Sequence, residues 1–524
     1  MTPAKRVFMV DGKPFFPFGG EADNQSGYNN HESETAFKAT KLIHGNTLEI
    51  PVYWELIEPE EGKFDFTSVD ALLANAHKYG IKLLLLWFGT WFCGGLDYNP
   101  AWVKTNPKRF KRALSSSGAD LITLSSHCRA NLEADAKAFT ALCKHLKSKD
   151  TGHIVIGIQV ENEPGLYHSD RDYCAEAQAD FERPVPAKLA AAIKAAGKGT
   201  IYDLWQAAGG KNSGTWPELF GAAAGGLMTA WSIATYINSV SKAGKAVYDL
   251  PTYINVIPSY VNRALDIYKW CTPDVDLIGP DIYTRDFKGY EALCKHYSRD
   301  DNPFFLPESV KEVTDGGRSC QPLAMFRAIA DYNLTGYFFF GIEYIIDENG
   351  SIRPEFQMLT DSMRCVRLAI PLLLKYQGTG KIHAVVQEEY VRSQEFDLDG
   401  YVGTVRFGDD PAPITYKSWR HPPGKTSFTE QPSDRSRGRG LIIQANKNEF
   451  YLVGSNYRLN LRSKQAPAPL PGSGAGHMRY LSLDEGHFDN NGKFVADRRR
   501  NGGQIAAGIW MELDSDVVRV ITYE

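Results

Sequence analysis

The stretch HIVIGIQVENEPG, from His153 to Gly165, has the pattern of a buried β-strand that ends on a group of polar side chains. Its apolar run, Ile154 to Val160, is rich in β-branched residues, as is typical of a strand buried on both faces of a parallel sheet. Buried carboxylates without partners are costly, and Pro164 cannot donate to a ladder, so the strand should end at Glu161 to Glu163. Carboxylates at the carboxyl end of a parallel strand are typical of the active sites of α/β barrels.

The same pattern repeats along the chain: a short apolar run, then a polar or aromatic residue at its end, which we call the tip, and then a segment with helical periodicity. Eight such runs alternating with helices favour a closed (β/α)8 TIM barrel over an open doubly wound sheet. No glycine-rich phosphate motif follows any run, which argues against nucleotide binding. The runs and their tips are Phe15–Gly20 with Glu21, Thr47–Val52 with Trp54, Ile81–Leu86 with Trp91, Ile154–Val160 with Glu163, Thr252–Val256 with Asn255 inside it, Val275–Ile278 with Asp281 and Tyr283, Phe304–Leu306 with Glu308, and Gly336–Gly341 with Glu343.

The length of 524 residues is too great for one hydrophobic core. We predict a barrel domain over residues 1–374, preceded by a hairpin that turns at Asp11 and Gly12 and carrying a helical insertion at about 166–250. Residues 375–524 show no helical periodicity. Apolar and polar residues alternate in their short runs and turn signals are frequent, which predicts an all-β antiparallel sandwich.

The net charge and the absence of long apolar runs disfavour some classes of binding partner. A net charge of -4 argues against nucleic acid or an anionic membrane as the main partner, and no run reaches the length of a membrane span. No signal-like segment precedes the first hairpin, so we expect a cytoplasmic protein or one trimmed of a periplasmic or secretory leader. The eight scattered cysteines lack metal or disulfide spacing. The sequence does not fix the oligomeric state, and a homo-oligomer is compatible with it.

Two carboxylates end strands four and seven, Glu163 and Glu308, and this is the pairing that glycoside hydrolysis needs. One must give a proton to the departing glycosidic oxygen, while the other attacks the anomeric carbon or activates water. The tips of these strands should face each other across the mouth of an eight-stranded barrel. The residues therefore predict a small carbohydrate or glycoside as the partner, and neither a metal nor an organic cofactor.

Several motifs resemble glycoside hydrolase family 35, the β-galactosidases of the clan A retaining glycosidases. These motifs are QVENEPG at 159–165, FFPFGGE at 15–21 and LEIPVYW at 48–54. The segment from Asp484 to Arg499 resembles the C-terminal β-domain of a bacterial branch of that family. The resemblance implies an exo-acting retaining β-glycosidase, and a β-galactosidase before an exo-β-glucosidase or another enzyme of the clan.

The resemblance also implies roles for single residues. Glu163 would be the general acid/base and Glu308 the nucleophile, Asn162 would bind the sugar 2-hydroxyl, and Tyr283 would hydrogen-bond the nucleophile. The other predicted substrate contacts are Glu161, Glu21, Asn255, Trp54, Trp91 and Glu343. Pro164 and the sequence around Glu308 depart from the family pattern, so the reaction type is better supported than the sugar.

Structural roles compete with these assignments. The sequence around Glu308 is also compatible with a residue that caps a helix. Glu21 and Glu343 could be carboxylates with a structural role. Trp54 and Trp91 could be core residues. Other classes are disfavoured because no lysine lies at a strand tip for a Schiff-base aldolase and no histidine does so for a metal-dependent hydrolase. A carbohydrate-binding protein without catalysis remains the alternative from another class.

Overall fold

The computed structural model describes residues 7–310, 320–388, 391–407, 437–465, 480–500, 505 and 508–523. The strands up to residue 310 are β1 (Phe8–Val10), β2 (Lys13–Phe15), β3 (Gly19–Glu21), β4 (Thr47–Tyr53), β5 (Lys82–Phe92), β6 (Arg112–Leu114), β7 (Asp120–Leu124), β8 (Val155–Asn162), β9 (Thr252–Val256), β10 (Leu277–Ile282) and β11 (Glu308–Ser309). Strands β1 and β2 form the hairpin at the start of the chain, with Asp11 and Gly12 both at positive φ in its turn.

Seven parallel strands form a curved sheet in the order β11-β10-β9-β8-β5-β4-β3. Residues 336–340 complete the barrel, because Tyr337 makes parallel bridges both to Phe18 beside β3 and to Leu306 before β11. The predicted TIM-barrel fold is thus confirmed. The predicted seventh strand differs in detail, since Pro307 has no N–H for a ladder and regular pairing begins only at Glu308.

The helices that surround the barrel are α1 (Asn30–Leu42), α2 (Trp54–Ile57), α3 (Thr67–Tyr79), α4 (Ala101–Lys104), α5 (Arg129–Lys149), α6 (Ala175–Glu182), α7 (Ala187–Ala196), α8 (Thr200–Ala207), α9 (Trp216–Phe220), α10 (Ala224–Lys245), α11 (Pro258–Val261), α12 (Leu265–Cys271), α13 (Phe287–Tyr297), α14 (Gln321–Asp331) and α15 (Gln357–Tyr376). Helices α6 to α10 occupy the long interval between β8 and β9, where the sequence predicted a helical insertion. Among the described helices, none is both long and apolar enough to span a bilayer.

Alternate residues of the strands build two separate cores. On β5, Leu84 and Leu86 point into the barrel, while Leu83 and Leu85 pack outward against the helices. Phe8 of the hairpin joins the inner core, where its ring lies 5.6 Å from that of Phe305. The hairpin therefore closes the amino-terminal end of the barrel interior with an apolar side chain.

The C-terminal strands form two antiparallel sheets, as the sequence predicted. One has the order β12-β15-β16-β21-β18-β19 and the other β13-β14-β17-β20, with an apolar core between them. The strands are β12 (Ile382–Val386), β13 (Ser393–Leu398), β14 (Tyr401–Phe407), β15 (Arg439–Asn446), β16 (Glu449–Ser455), β17 (Tyr457–Ser463), β18 (Tyr480–Phe488), β19 (Phe494–Arg499), β20 (Ile509–Met511) and β21 (Val517–Thr522).

The sandwich packs against the last barrel helices. Arg364 of α15 reaches Asp516 at 2.7 Å, and the buried Arg439 of β15 lies 3.5 Å from Asp361. Because α15 ends at Tyr376 and β12 begins at Ile382, we propose that the two domains divide near residue 375.

Candidate active site

Three carboxyl groups meet at the carboxyl ends of the strands. One oxygen each from Glu163, Asp281 and Glu308 lies within 4.8 Å of the others. Asp281 and Glu308 are neighbours because β10 and β11 pair in parallel with these two residues in register. Glu163 follows the last residue of β8 and enters the group from the far side of β9. The two glutamates named from the sequence are therefore brought together by the barrel.

Glu308 is a buried strand residue held by a tyrosine. The Tyr283 hydroxyl donates a hydrogen bond to Oε1 of Glu308, as the resemblance implied. Burial and the neighbouring Glu308 charge raise the pKa of Tyr283, so its hydroxyl stays a donor at neutral pH. Glu308 does not cap α14, the next helix in the described part of the chain, because the N-cap of that helix is Cys320.

Glu163 occupies a backbone conformation that few non-glycine residues adopt, with φ at 44°. Its N–H donates to Oδ1 of Asn255 at 2.9 Å, and its carbonyl accepts the Tyr167 hydroxyl. The Cys93 thiol lies 3.0 Å from Oε2 and donates to it. Burial and the Glu163 charge raise the pKa of Cys93, which keeps that sulfur protonated as a weak donor.

An amide network links the carboxyl groups. The Asn255 side chain donates to Oδ1 of Asn162 and to Oδ2 of Asp281, both at 3.1 Å. Gln159 also donates to Oδ1 of Asn162, at 3.0 Å. Since Asn255 also accepts from the Glu163 N–H, it fixes the relative position of three strand ends. Asn162 and Asn255 thus lie in the site.

Two further predicted carboxyl groups lie beside the cluster. Glu21 is buried at the end of β3, where burial and then the charges of Glu308 and Glu49 raise its pKa well above the ordinary value. Glu343 binds protein donors with both oxygens, the Ser26 hydroxyl and the Asp23 N–H. Burial raises the pKa of Glu343 to about 7.

Three residues predicted to contact substrate lie elsewhere. Glu161 accepts the Trp91 N–H at 2.7 Å and faces Asp135 of α5, and burial and then Asp135 raise its pKa. Trp54 is fully buried, with its ring 5.9 Å from that of Trp102, and Trp91 packs at 4.7 Å on Tyr236 of α10. The structure does not bring these three side chains to the carboxyl cluster, because all three are buried between the barrel and its helices.

The Glu161 side chain points away from the cluster because the strand alternation breaks at this residue. Ile158 and Val160 belong to the outer core and Gln159 contacts the site, so a regular strand would also turn Glu161 inward. Positive φ values at Glu161 (70°) and Glu163 (44°) turn the Glu161 side chain outward while Asn162 and Glu163 join the site.

Sequence reasoning assigned no role to two residues of the site. Asp281 follows the same rule as the glutamates, an acid at the end of an apolar run, and could have been found by applying that rule to the sixth strand. Cys93 gave no signal, because a single cysteine has no spacing to interpret. Among the residues described, Glu163, Asp281 and Glu308 are the one acidic group close enough to surround a cation, but spacing alone does not identify metal ligands.

Residues 27–208 match the family model Glyco_hydro_42, described as "Beta-galactosidase", and residues 359–512 match a domain of unknown function, DUF5597. The chain is 32% identical over 186 residues to "Beta-galactosidase" of Xanthomonas manihotis, a match covering 33% of this chain and 28% of the relative. It is 29% identical over 177 residues to human "Beta-galactosidase-1-like protein 3", a match covering 32% of this chain and 25% of the relative. The matched segments thus span less than a third of these relatives.

Among solved structures, the β-galactosidase from Rahnella sp. R3 aligns with a TM-score of 0.49 at 16% identity, covering 71% of this chain and 58% of that one. The family model that matches is described as "Beta-galactosidase", and the residues it covers include Glu163. The family that matches is family 42, and the assignment to family 35 made from motifs is not confirmed.

Proposed function

We propose that this protein is an exo-acting retaining β-glycosidase that removes a terminal β-galactosyl residue from a small glycoside. The observation that carries the proposal is the approach of Glu163 and Glu308 oxygens to within 4.8 Å. Retaining glycosidases hold their two carboxyl groups about 5–5.5 Å apart, whereas inverting ones need about 6.5–9.5 Å to admit a water molecule. The short separation favours direct attack by one carboxylate.

The environments of the two glutamates favour different roles. Glu308 accepts a hydrogen bond from a tyrosine hydroxyl, which stabilises the ionised form that a nucleophile needs. Glu163 accepts a weak hydrogen bond from the Cys93 thiol and lies at the mouth beside the carboxyl groups of Asp281 and Glu308, where it can reach the glycosidic oxygen. We therefore propose Glu308 as nucleophile and Glu163 as general acid/base.

In the proposed reaction, Glu308 attacks the anomeric carbon while Glu163 gives its proton to the glycosidic oxygen, and the aglycone leaves as an alcohol. The sugar is then joined to Glu308 as an ester. Glu163 next removes a proton from water, whose oxygen attacks the anomeric carbon and releases Glu308. The sugar leaves with its original β configuration, and neither a metal nor a cofactor takes part.

Residues around the cluster are proposed to hold the sugar. Asn162 lies next to the reacting carboxyl groups, where it can bind the 2-hydroxyl. Glu21 is buried beside Glu308, and within the described residues its Oε2 has no hydrogen-bond partner, so a sugar hydroxyl can occupy that position. Asn255 acts by fixing Asn162 and Glu163.

The proposal of exo action rests on the segment that follows Glu163. Tyr167 folds back onto the Glu163 carbonyl, and its ring lies 4.6 Å from that of Tyr260, which follows β9. This pair forms a wall at one side of the mouth, which favours a pocket for one terminal sugar over an open cleft. Release of internal fragments from a long β-linked polysaccharide would contradict exo action.

The experiment that tests the function is a panel of nitrophenyl β-glycosides. We expect the β-galactoside to have at least about tenfold higher kcat/KM than the β-glucoside, because a site built to bind an axial hydroxyl leaves polar groups unpaired with the other epimer. Proton NMR should show the β anomer as the first product. A preference for the β-glucoside would indicate an exo-β-glucosidase, and sugar binding without turnover would indicate a binding protein.

The hydrogen bond from Tyr283 to Glu308 should matter for catalysis. Tyr283→Phe should lower kcat by about 10- to 100-fold, the effect of removing a hydrogen bond to a charged group, with little change in KM. Tyr344→Phe is the matched control, because it removes a tyrosine–carboxylate hydrogen bond to Asp23 at the same end of the barrel. Equal kcat values for the two variants would contradict the proposed role of Tyr283.

A further inference from the structure

We propose that the wall formed by Tyr167 and Tyr260 binds the first sugar ring of the leaving group, so that the substrate is a β-galactoside linked to a second pyranose. This inference rests on the proposed function, because it names the aglycone that the same site accepts. The motifs that resemble family 35 include neither tyrosine.

The first support is the place of Tyr260 on the solvent side of the carboxyl cluster. Tyr260 belongs to α11, which begins two residues after the end of β9, so it lies at the same end of the barrel as Glu163. Tyr260 is 54% exposed, whereas Glu308 is 8% exposed and Glu163 is half-buried. A galactosyl unit bound at the buried Glu308 must extend its leaving group toward solvent, where Tyr260 lies.

The second support is the direct connection between the wall and the proposed acid/base. The Tyr167 hydroxyl donates to the Glu163 carbonyl, and the Tyr167 ring lies 4.6 Å from the ring of Tyr260 at an angle of 44°. Because Glu163 gives its proton to the glycosidic oxygen, the group attached to that oxygen must lie beside Glu163. The first ring of the leaving group therefore comes next to the wall.

Two glycines allow Tyr167 to lie close against the backbone of neighbouring loops. A Cβ atom added at Gly94 or at Gly165 would lie 2.8 Å from a carbon of the Tyr167 ring, which is too close for any side chain. The Tyr167 ring is thus held by these glycines and by its hydrogen bond to Glu163, and Tyr260 packs on a fixed surface. A surface that is ordered before the ligand arrives loses little entropy on binding.

The chemistry of the wall fits a neutral sugar ring. A tyrosine presents an apolar ring face with a hydroxyl at its edge, and a pyranose likewise has an apolar C–H face with hydroxyls around its edge. The carboxyl groups of Glu163, Asp281 and Glu308 at the mouth disfavour an anionic leaving group. A short alkyl group would leave the exposed Tyr260 ring without a contact, and an aryl group would use the ring face alone. We therefore infer that the wall binds a second pyranose.

The test compares the loss of kcat/KM in Tyr260→Ala for three substrates: methyl β-galactoside, phenyl β-galactoside and whichever β-galactosyl-glucose isomer the wild type cleaves best. We expect the disaccharide to lose about 5- to 50-fold more than the methyl galactoside, because only the disaccharide carries a ring that packs on Tyr260. Tyr260→Phe keeps the ring and should restore most of the loss. The phenyl galactoside should lose less than the disaccharide, and a larger loss with it would overturn the assignment of a sugar.

Transfer of the galactosyl group gives a second measurement that does not depend on the disaccharide linkage. The glycosyl-enzyme formed from a dinitrophenyl β-galactoside can react with water or with an added acceptor, and the acceptor occupies the place that the leaving group vacated. In Tyr260→Ala, the yield of transfer to glucose should fall at least about fivefold relative to the yield of transfer to methanol. Equal decreases for the two acceptors would contradict the platform.

The matched control is Tyr344→Ala, because Tyr344 is another exposed tyrosine at the mouth, 45% exposed and bonded to Asp23 near the end of β3. This variant should not change the ratio of kcat/KM between disaccharide and methyl galactoside. The same loss for both substrates in Tyr260→Ala, or a wild type that cleaves methyl galactoside but no galactosyl disaccharide, would overturn the inference. Absence of turnover of any galactoside would instead overturn the proposed function, so the two failures are distinguishable.

Discussion

Replacing Glu308 by glutamine should lower kcat for nitrophenyl β-galactoside by at least ~10⁴-fold, as loss of a catalytic nucleophile does in other enzymes. The amide has nearly the same shape and can still accept the Tyr283 hydrogen bond, so the fold should be unaffected. The decrease in kcat would therefore reflect the loss of the nucleophile and not a change in the fold. The melting temperature should stay close to that of the wild type, and a large decrease would point to a structural role for Glu308.

Chemical rescue makes the prediction for Glu308 more specific. Glu308→Gly opens space at the position of the nucleophile, and added azide can then attack the anomeric carbon directly from that side. A single displacement inverts the configuration, so the product should be the α-galactosyl azide, identified by NMR. Formation of the β-galactosyl azide by this variant would mean that the roles of Glu308 and Glu163 are exchanged.

Replacing Glu163 by alanine should give a loss that depends on the leaving group. Substrates whose aglycone needs a proton should lose about 10²- to 10⁴-fold in kcat/KM, the usual contribution of general acid catalysis. A dinitrophenyl β-galactoside leaves as a stable anion, so formation of the glycosyl-enzyme should be nearly unaffected while its hydrolysis becomes slow. A burst of dinitrophenol followed by slow turnover is the expected time course.

Added azide should also accelerate this variant, but with the opposite product. It would attack the glycosyl-enzyme in place of water, and the second displacement should give the β-galactosyl azide. Glu161→Gln is the matched control, because Glu161 is another strand-end glutamate only two residues away that binds the Trp91 N–H outside the cluster. It should keep most of the wild-type activity. Equal losses in the Glu161 and Glu163 variants would contradict the assignment of Glu163.

The fold was predictable because it depends on patterns that repeat along the chain. Runs buried on both faces have nearly continuous apolar sequences, and their alternation with amphipathic helices leaves few architectures other than a barrel. The prediction was least accurate where pairing is irregular. Residues 336–340 join the barrel by isolated bridges, and the pairing at Glu308 starts only after Pro307.

The sequence by itself determined the barrel, the sandwich and the acids at the ends of strands four and seven, because these follow from hydrophobic periodicity and the cost of burying charge. Only the tertiary structure decided which polar tips meet. The backbone at Glu161 leaves the regular strand, so that Glu161 pairs with Asp135. Asp281 and Cys93 reach Glu163 because neighbouring strands bring them there. In a regular strand, the periodicity of the sequence determines which side chains point inward. A residue with left-handed backbone angles, and the register between two strands, depend instead on contacts between segments that are distant in the sequence.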